Sequence, residues 1–220
     1  STAAGTNKYR YPDVDYFSSE YLKNAYNRTD VTTEISGGDN FARYYSNFGM
    51  VYNNSLMKTG YQAKNKDLAF NVRANIDMNL TDWLTASTNA VVTLSDNYTG
   101  RGEFWKTSES FRPNWFSPLI PIDMLDPTNE SLQTIVKNSN NVIDGAYLLG
   151  GTSTDATNAF ADNLAAGYIK NKNRMFMSNV SVGADLGRVL KGLTFKTLYS
   201  LDYINFYNEA WKEDYAVYQP

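Results

Sequence analysis

The 220-residue chain contains no cysteine and no histidine. Disulfides, thiolate nucleophiles, zinc centres and imidazole acid–base chemistry are therefore absent from it. No stretch approaches the roughly 18 consecutive apolar residues that a membrane helix requires. Aliphatic runs are short, such as Val142-Ile143 and Leu119-Ile120, which excludes a helical membrane protein. It leaves a β-barrel open, because alternating strands average to a polar hydropathy. Positive charge is also scarce: 20 Lys and Arg stand against 23 Asp and Glu, and no basic run occurs. The electrostatic footprint of a nucleic-acid binder is missing. The chain opens at Ser1 without Met and without a charged-then-apolar leader, which reads as a processed chain or as an excised stretch of a longer one.

What the chain does have is aromatic side chains, 15% of the total, with 17 Tyr and 4 Trp. Tyr and Trp favour boundaries where one end of the ring is dry and the other wet. Membrane belts and sugar-binding surfaces are both such places.

Period-two alternation is the dominant pattern. From Asp67 to Leu80, the residues Leu68, Phe70, Val72, Ala74, Ile76, Met78 and Leu80 are apolar. The intervening set is polar apart from Ala69. Only a β-strand puts alternate residues on one face over such a length, and the run exceeds the ordinary globular strand of about 5–6 residues. A tight polar turn at Leu80 to Trp83 leads into Leu84 to Asn97, where Leu84, Ala86, Ala90, Val92 and Leu94 share a face with Thr88. Two further hairpins are expected. Val31 to Ser36 meets Ala42 to Asn53 across Gly37-Gly38-Asp39-Asn40, a strong hairpin signal. Met175 to Leu186 meets Leu193 to Tyr207 across Gly187 to Gly192. In the last strand Leu198, Ile204 and Phe206 fall on the polar side.

The turns inside hairpins are short and the links between hairpins are long, 54–66 and 98–172. That bias is the layout of outer-membrane barrels, with periplasmic turns and extracellular loops. The expected fold is all-β: about six strands of an antiparallel transmembrane β-barrel, with short helices in the extracellular loops. The expected organisation is a loop and short helix at 1–29, two barrel hairpins at 30–97, a long extracellular loop at 98–172, a third hairpin at 173–207, and the start of another loop at 208–220. Ser18 or Ser19 ahead of Glu20 to Tyr26 predicts a helix. Asp126 with Pro127 predicts an N-cap and first helical position for a helix through Lys137. Asp155 predicts a cap for a helix over Ala159 to Ile169. Six strands do not close a barrel and would leave two edges unpaired, so neighbouring strands are expected outside this sequence.

Tyr11-Pro12 with Asp15-Tyr16, then Ser36-Gly37-Gly38, then Phe70 through Asp77, then Leu80 through Leu84 occur in an order and spacing that resembles the early barrel region of SusC/RagA-type TonB-dependent transporters. Tyr16 stands where that family commonly has Trp. The resemblance covers about residues 9 to 97. It implies a 22-stranded barrel at the cell outer membrane of Bacteroidetes-type bacteria. A plug and a TonB-contacting segment are implied outside this chain, together with a SusD-like surface lipoprotein as partner. The implied activity is import of oligosaccharides, with peptides as the alternative cargo. A secreted carbohydrate-binding β-protein is the competitor from another class.

No enzymatic chemistry and no cofactor or metal are expected. Glu103 and Glu109 near aromatics are not enough for a glycosidase pair. Asp123, Asp126 and Asp144 do not have the spacing of a calcium loop and read as caps and turns. Candidate substrate contacts fall in two groups. In the long loop, Trp105, Trp115 and Phe116, with Phe104 and Phe111, either stack on a sugar or peptide, contact a lipoprotein lid, or form the loop's own core. On the polar strand face, Asp67, Asn71 and Asn97, with Ser95, either hydrogen-bond a substrate, or line a wet lumen or contact a plug. Arg73 and Asp77 lie deeper on that face. Trp83, at a turn, is assigned to a periplasmic aromatic girdle.

Overall fold

A computed structural model describes residues 15, 17–102, 117–139, 142–154 and 159–219. Six long strands form one antiparallel sheet: β1 (Arg28–Gly38), β2 (Ala42–Asn54), β3 (Lys66–Asn79), β4 (Leu84–Gly100), β7 (Gly167–Asp185) and β8 (Thr194–Lys212). Their order in the sheet is β1-β2-β3-β4-β7-β8, so every strand pairs with its neighbour in the sheet's chain order and the sheet is open at β1 and β8. Two short strands, β5 (Leu119–Pro121) and β6 (Tyr147–Leu149), pair separately within the long connection. Among the described residues no helix is long and apolar enough to cross a membrane, which bears only on helices.

The three hairpin turns are tied by their own side chains. At the first, Asp39 Oδ1 accepts from the backbone N–H groups of Phe41 (2.8 Å) and Ala42 (2.9 Å). At the second, Thr81 Oγ1 accepts from Leu84 N–H at 3.0 Å. At the third, Asp185 Oδ1 accepts from Gly187 N–H at 2.8 Å. These Asx and hydroxyl turns replace ladder bonds that the chain loses on reversing.

The third hairpin differs from its expected span of 173–207. It runs from Gly167 to Lys212, and β4 continues to Gly100. The apolar alternation stops before the ladder does, because Lys170, Lys172 and Arg174 occupy alternate positions of β7. Hydrogen bonding needs only backbone, so the strand outlives its pattern.

Helical expectations are partly corrected. Residues 17–21 form turns, not a helix: Ser18 carbonyl accepts from both Tyr21 and Leu22 N–H. Leu22 then bridges Met57. Helix α1 spans Glu130–Asn138 and its N-cap is Asn129, whose side chain accepts from Leu132 N–H. The Asp126 cap was misplaced by one turn. Asp126 instead closes a turn with Thr128, accepting from its N–H at 2.9 Å and its hydroxyl at 2.7 Å. Helix α2, Ala159–Ala165, ends four residues short of its expected limit; its proposed cap, Asp155, lies outside the described residues. Gly167 accounts for the stop. Its φ is +99°, and a Cβ there would meet Trp211 O at 2.1 Å, so the chain leaves the helix and enters β7 at a position only glycine fits.

The buried core sits in the loops, not on the sheet. Tyr21, Met57, Leu119, Ile143, Leu149, Phe160, Ala161 and Leu164 pack together, and Ile120, Leu125 and Leu148 form a satellite. This cap draws on every connection at the long-loop end. Among the described residues of the six long strands, Gly100 and Gly167 alone are buried. Among the described residues no second sheet or helix layer covers either face.

Candidate functional site

The register turns six sequences into two surfaces. One row across the sheet reads Tyr52, Leu68, Asp96, Lys172, Tyr207; the row four residues deeper reads Phe48, Val72, Val92, Phe176, Tyr203. Every residue in these rows lies on the same face, since side chains alternate. On that face the apolar stretch covers nine to eleven residues of β2, β3, β4, β7 and β8: 42–52, 68–78, 84–94, 176–184 and 195–203. Thr, Ser and Ala interrupt it; no charged side chain does.

The limits of this stripe are slanted. On β2 its loop-side end is Tyr52, whose row reaches β8 at Tyr207, but on β8 the stripe ends four residues lower, at Tyr203. The turn-side end shifts the same way but less, from Ala42 on β2, whose row reaches Thr197, to Phe195 on β8. At the loop side the displacement of about 13 Å over four strand spacings, about 19 Å, is an angle of roughly 35° between the stripe's limit and the perpendicular to the strands.

The opposite face is mainly polar and carries charge throughout, with Asp30, Glu34, Arg43, Asp67, Arg73, Asp77, Lys196 and Asp202, but on β8 it also exposes Leu198, Ile204 and Phe206. The predicted contacts Asp67, Asn71 and Asn97 all fall here. Asp67 and Asn97 stand directly opposite one another, and Asn71 pairs across with Thr93, donating to its hydroxyl at 3.1 Å. Asn97 Oδ1 accepts from the Thr99 hydroxyl at 3.0 Å. Ser95 is used through its backbone, its carbonyl accepting from Arg174 at 3.2 Å. Arg73 faces Asn47, and Asp77 faces Arg43. The sequence reading missed a network on the same face, in which Glu34 Oε1 accepts from Tyr45 Oη (3.1 Å) and Asn47 Nδ2 (3.2 Å). Its members are on different strands, so only the β1–β2 register brings them together. Trp105, Trp115 and Phe116, with Phe104, Phe111, Glu103 and Glu109, lie outside the described residues.

At the loop end, a cavity of about 300 Å³ is lined by Tyr61, Lys64, Ile143, Asp144, Leu164 and Glu213. A 3₁₀ turn, Tyr61–Lys64, brings Tyr61 to it, and the Tyr61 hydroxyl donates to Glu213 Oε1 at 2.5 Å. Burial, then the Glu213 carboxylate, pushes the Tyr61 phenol up to about 12. Asp144 Oδ2 accepts from Gly60 N–H at 2.9 Å, a bond between two loops and not the local cap or turn expected of it. Below, Gln62 donates to Gly100 O, and Asn65 accepts from Gly100 N–H, fastening the turn to the end of β4. The wall offers a phenol ring, an ammonium and carboxylates, groups that stack on and hydrogen-bond a polar ligand. Among the described residues no group of three or more His, Cys, Asp or Glu could hold a metal ion. No family model matches the chain, and no curated protein matches it.

Proposed function

We propose that this chain is part of the wall of an outer-membrane β-barrel, and that the whole barrel is a TonB-dependent transporter of the SusC/RagA type importing oligosaccharides. The observation that carries the reading is the slanted, charge-free, uncovered stripe. Nine to eleven residues per strand is the length a tilted membrane strand needs. At a tilt of about 40° these stretches are roughly 20–25 Å high, close to the ~25 Å apolar band of known barrels. The roughly 35° slant is what strands tilted by 35–45° produce where they cross a flat boundary. A strand in a water-soluble sandwich has no reason to shift its apolar limits in step with its neighbours.

The mechanism follows from the two faces. The apolar face meets hydrocarbon, which costs nothing in lost hydrogen bonds once the barrel is closed and every backbone group is in a ladder. The polar face lines the lumen, where Asp67, Asn71, Asn97 and the Glu34 network offer hydrogen bonds to a hydrated solute. The short turns face the periplasm. The loop cap, with its cavity, stands at the outer mouth, where a SusD-like lipoprotein would dock and where substrate would enter. Strands beyond β1 and β8 close the barrel and remove the two edges. A plug and TonB supply gating and energy from outside this chain. Preference for oligosaccharide over peptide rests on the family resemblance.

Since the chain has no cysteine, single cysteines report on each face. Asn71→Cys on the polar face should react with a membrane-impermeant maleimide in cells, and Val72→Cys should be protected until detergent is added. Equal labelling of both would end the membrane reading. For transport, deletion of the gene should abolish growth on one or more glycans; unchanged growth on glycans with a defect on peptides reassigns the cargo.

A further inference from the structure

We propose that the loop end of the apolar face carries a binding site for the phosphate groups of an outer-leaflet lipid, an inference that rests on the membrane-wall reading above. Across the strands of the sheet this face holds six charged residues, and all six lie beyond the loop-side limit of the stripe: Lys66, Asp96, Lys170, Lys172, Arg174 and Glu209. The turn-side limit has none on its strands. The polar face, by contrast, spreads both signs over its full length. Charge on the apolar face is therefore placed, and placed at one rim.

The cluster is net positive, four cations against two carboxylates. Lys170, Lys172 and Arg174 form a ladder at alternate positions of β7, and Lys66 lies two strands away in the row of Lys170. Each carboxylate already holds one cation: Asp96 pairs with Arg174 at 2.7 Å and Glu209 with Lys170 at 3.0 Å. Arg174 starts one row nearer the stripe than Asp96's own partner row, and its guanidinium turns back toward the loop end to reach Asp96 and the Ser95 carbonyl. That is the direction in which a long cationic side chain snorkels from hydrocarbon to headgroups. Lys66 and Lys172 enter no ion pair among the described residues, and Lys172 is exposed. The excess charge thus resides in two ammonium groups outside the ion pairs, at headgroup height.

Aromatic rings frame the same spot. Tyr98 stacks on Tyr168 at 5.1 Å, the Lys170 ammonium lies 4.6 Å from the Tyr168 ring centroid, and Tyr168 and Tyr207 hydroxyls donate to Glu209. Rings with one wet edge mark the interfacial depth, and they hold Lys170 and Glu209 in place beside the open cations. A basic patch at an aromatic belt, facing outward, matches a phosphorylated headgroup whose acyl chains run down the stripe below it. An acidic peptide or a sugar would not need the stripe.

The test uses the full-length gene product purified in detergent, with diphosphoryl lipid A as probe, its dephosphorylated form as the second arm and inorganic phosphate as the third. The double variant Lys66→Gln/Lys172→Gln spares both ion pairs; Lys196→Gln, on the polar face, is the control. Each surface cation is worth about fivefold toward an anionic lipid, so the double variant should bind the phosphorylated lipid roughly thirtyfold more weakly while the control binds as wild type. Equal binding of the dephosphorylated lipid, an unchanged double variant, or inorganic phosphate binding as well as the lipid would each overturn the proposal. Wild-type protein that fractionates with the outer membrane yet fails these arms sinks this inference alone. Wild-type protein that fractionates as soluble sinks the membrane-wall reading and the inference with it.

Discussion

Arginine placed at different depths of β3 gives the sharpest test of what the stripe touches. Val72 lies at the middle of the 68–78 stretch and Leu68 at its loop-side end, on one face; Asn71 is next to Val72 but on the other. Val72→Arg puts a guanidinium at mid-depth, about 13 Å along the strand from the nearer limit, too far to reach headgroups without distorting the bilayer. In known barrels that substitution costs about 2–4 kcal/mol at the midplane and about 0–1 kcal/mol near the interface. The expected order is therefore Val72→Arg far worse than Leu68→Arg, with Asn71→Arg near neutral beside the native Arg73. The assay is reversible urea unfolding of the full-length protein in phospholipid vesicles, followed by tryptophan fluorescence. If the face met water, all three would fall within about 0.5 kcal/mol of wild type, as surface substitutions do. If a protein layer covered it, Leu68→Arg would be as damaging as Val72→Arg. Either result refutes the depth argument, and Asn71→Arg matching Val72→Arg would refute the assignment of faces.

Other consequences are more local. The Ala42 and Phe41 N–H groups hold the Asp39 carboxyl below its ordinary range. The first turn's extra stability is then present above that range and lost as pH falls through the lowered value. Amide exchange at Phe41 and Ala42 should accelerate on acidification in wild type, and already be fast and pH-insensitive in Asp39→Ala once corrected for intrinsic rates. Tyr61, raised to about 12, adds stability to the cap that is complete below about 10 and disappears as pH rises through about 12. A tyrosinate absorbance titration should lose its highest step in Tyr61→Phe. Leu164 is 1% exposed in the cap core, so Leu164→Ala should destabilise the cap by about 2–5 kcal/mol. Hydrogen exchange should then rise at Leu119, Ile143 and Leu149 while the β3–β4 ladder stays protected; a uniform rise would show that cap and sheet unfold together.

Amino-acid order alone determined which residues share a face. Side-chain alternation has a period of two, so Leu68 through Met78 must point one way and Asp67, Asn71 and Arg73 the other, whatever the neighbouring strands are. Short-range signals also fixed the three turns, because an Asp or Thr side chain reaches its own turn's amides. Helix starts were less legible. Asp126 and Asn129 are equally good caps by type, and only the turn that Pro127 and Thr128 make decides between them. The tail of β7 was invisible because Lys170, Lys172 and Arg174 break the apolar pattern where backbone pairing continues. Tertiary structure decided everything that depends on register: the Glu34, Tyr45 and Asn47 network, the facing of Asp67 with Asn97, the slant of the stripe, and the gathering of all its charges at one rim. Pairing is made by backbone groups that are the same for every residue, so strand sequences taken one at a time do not say which positions lie side by side.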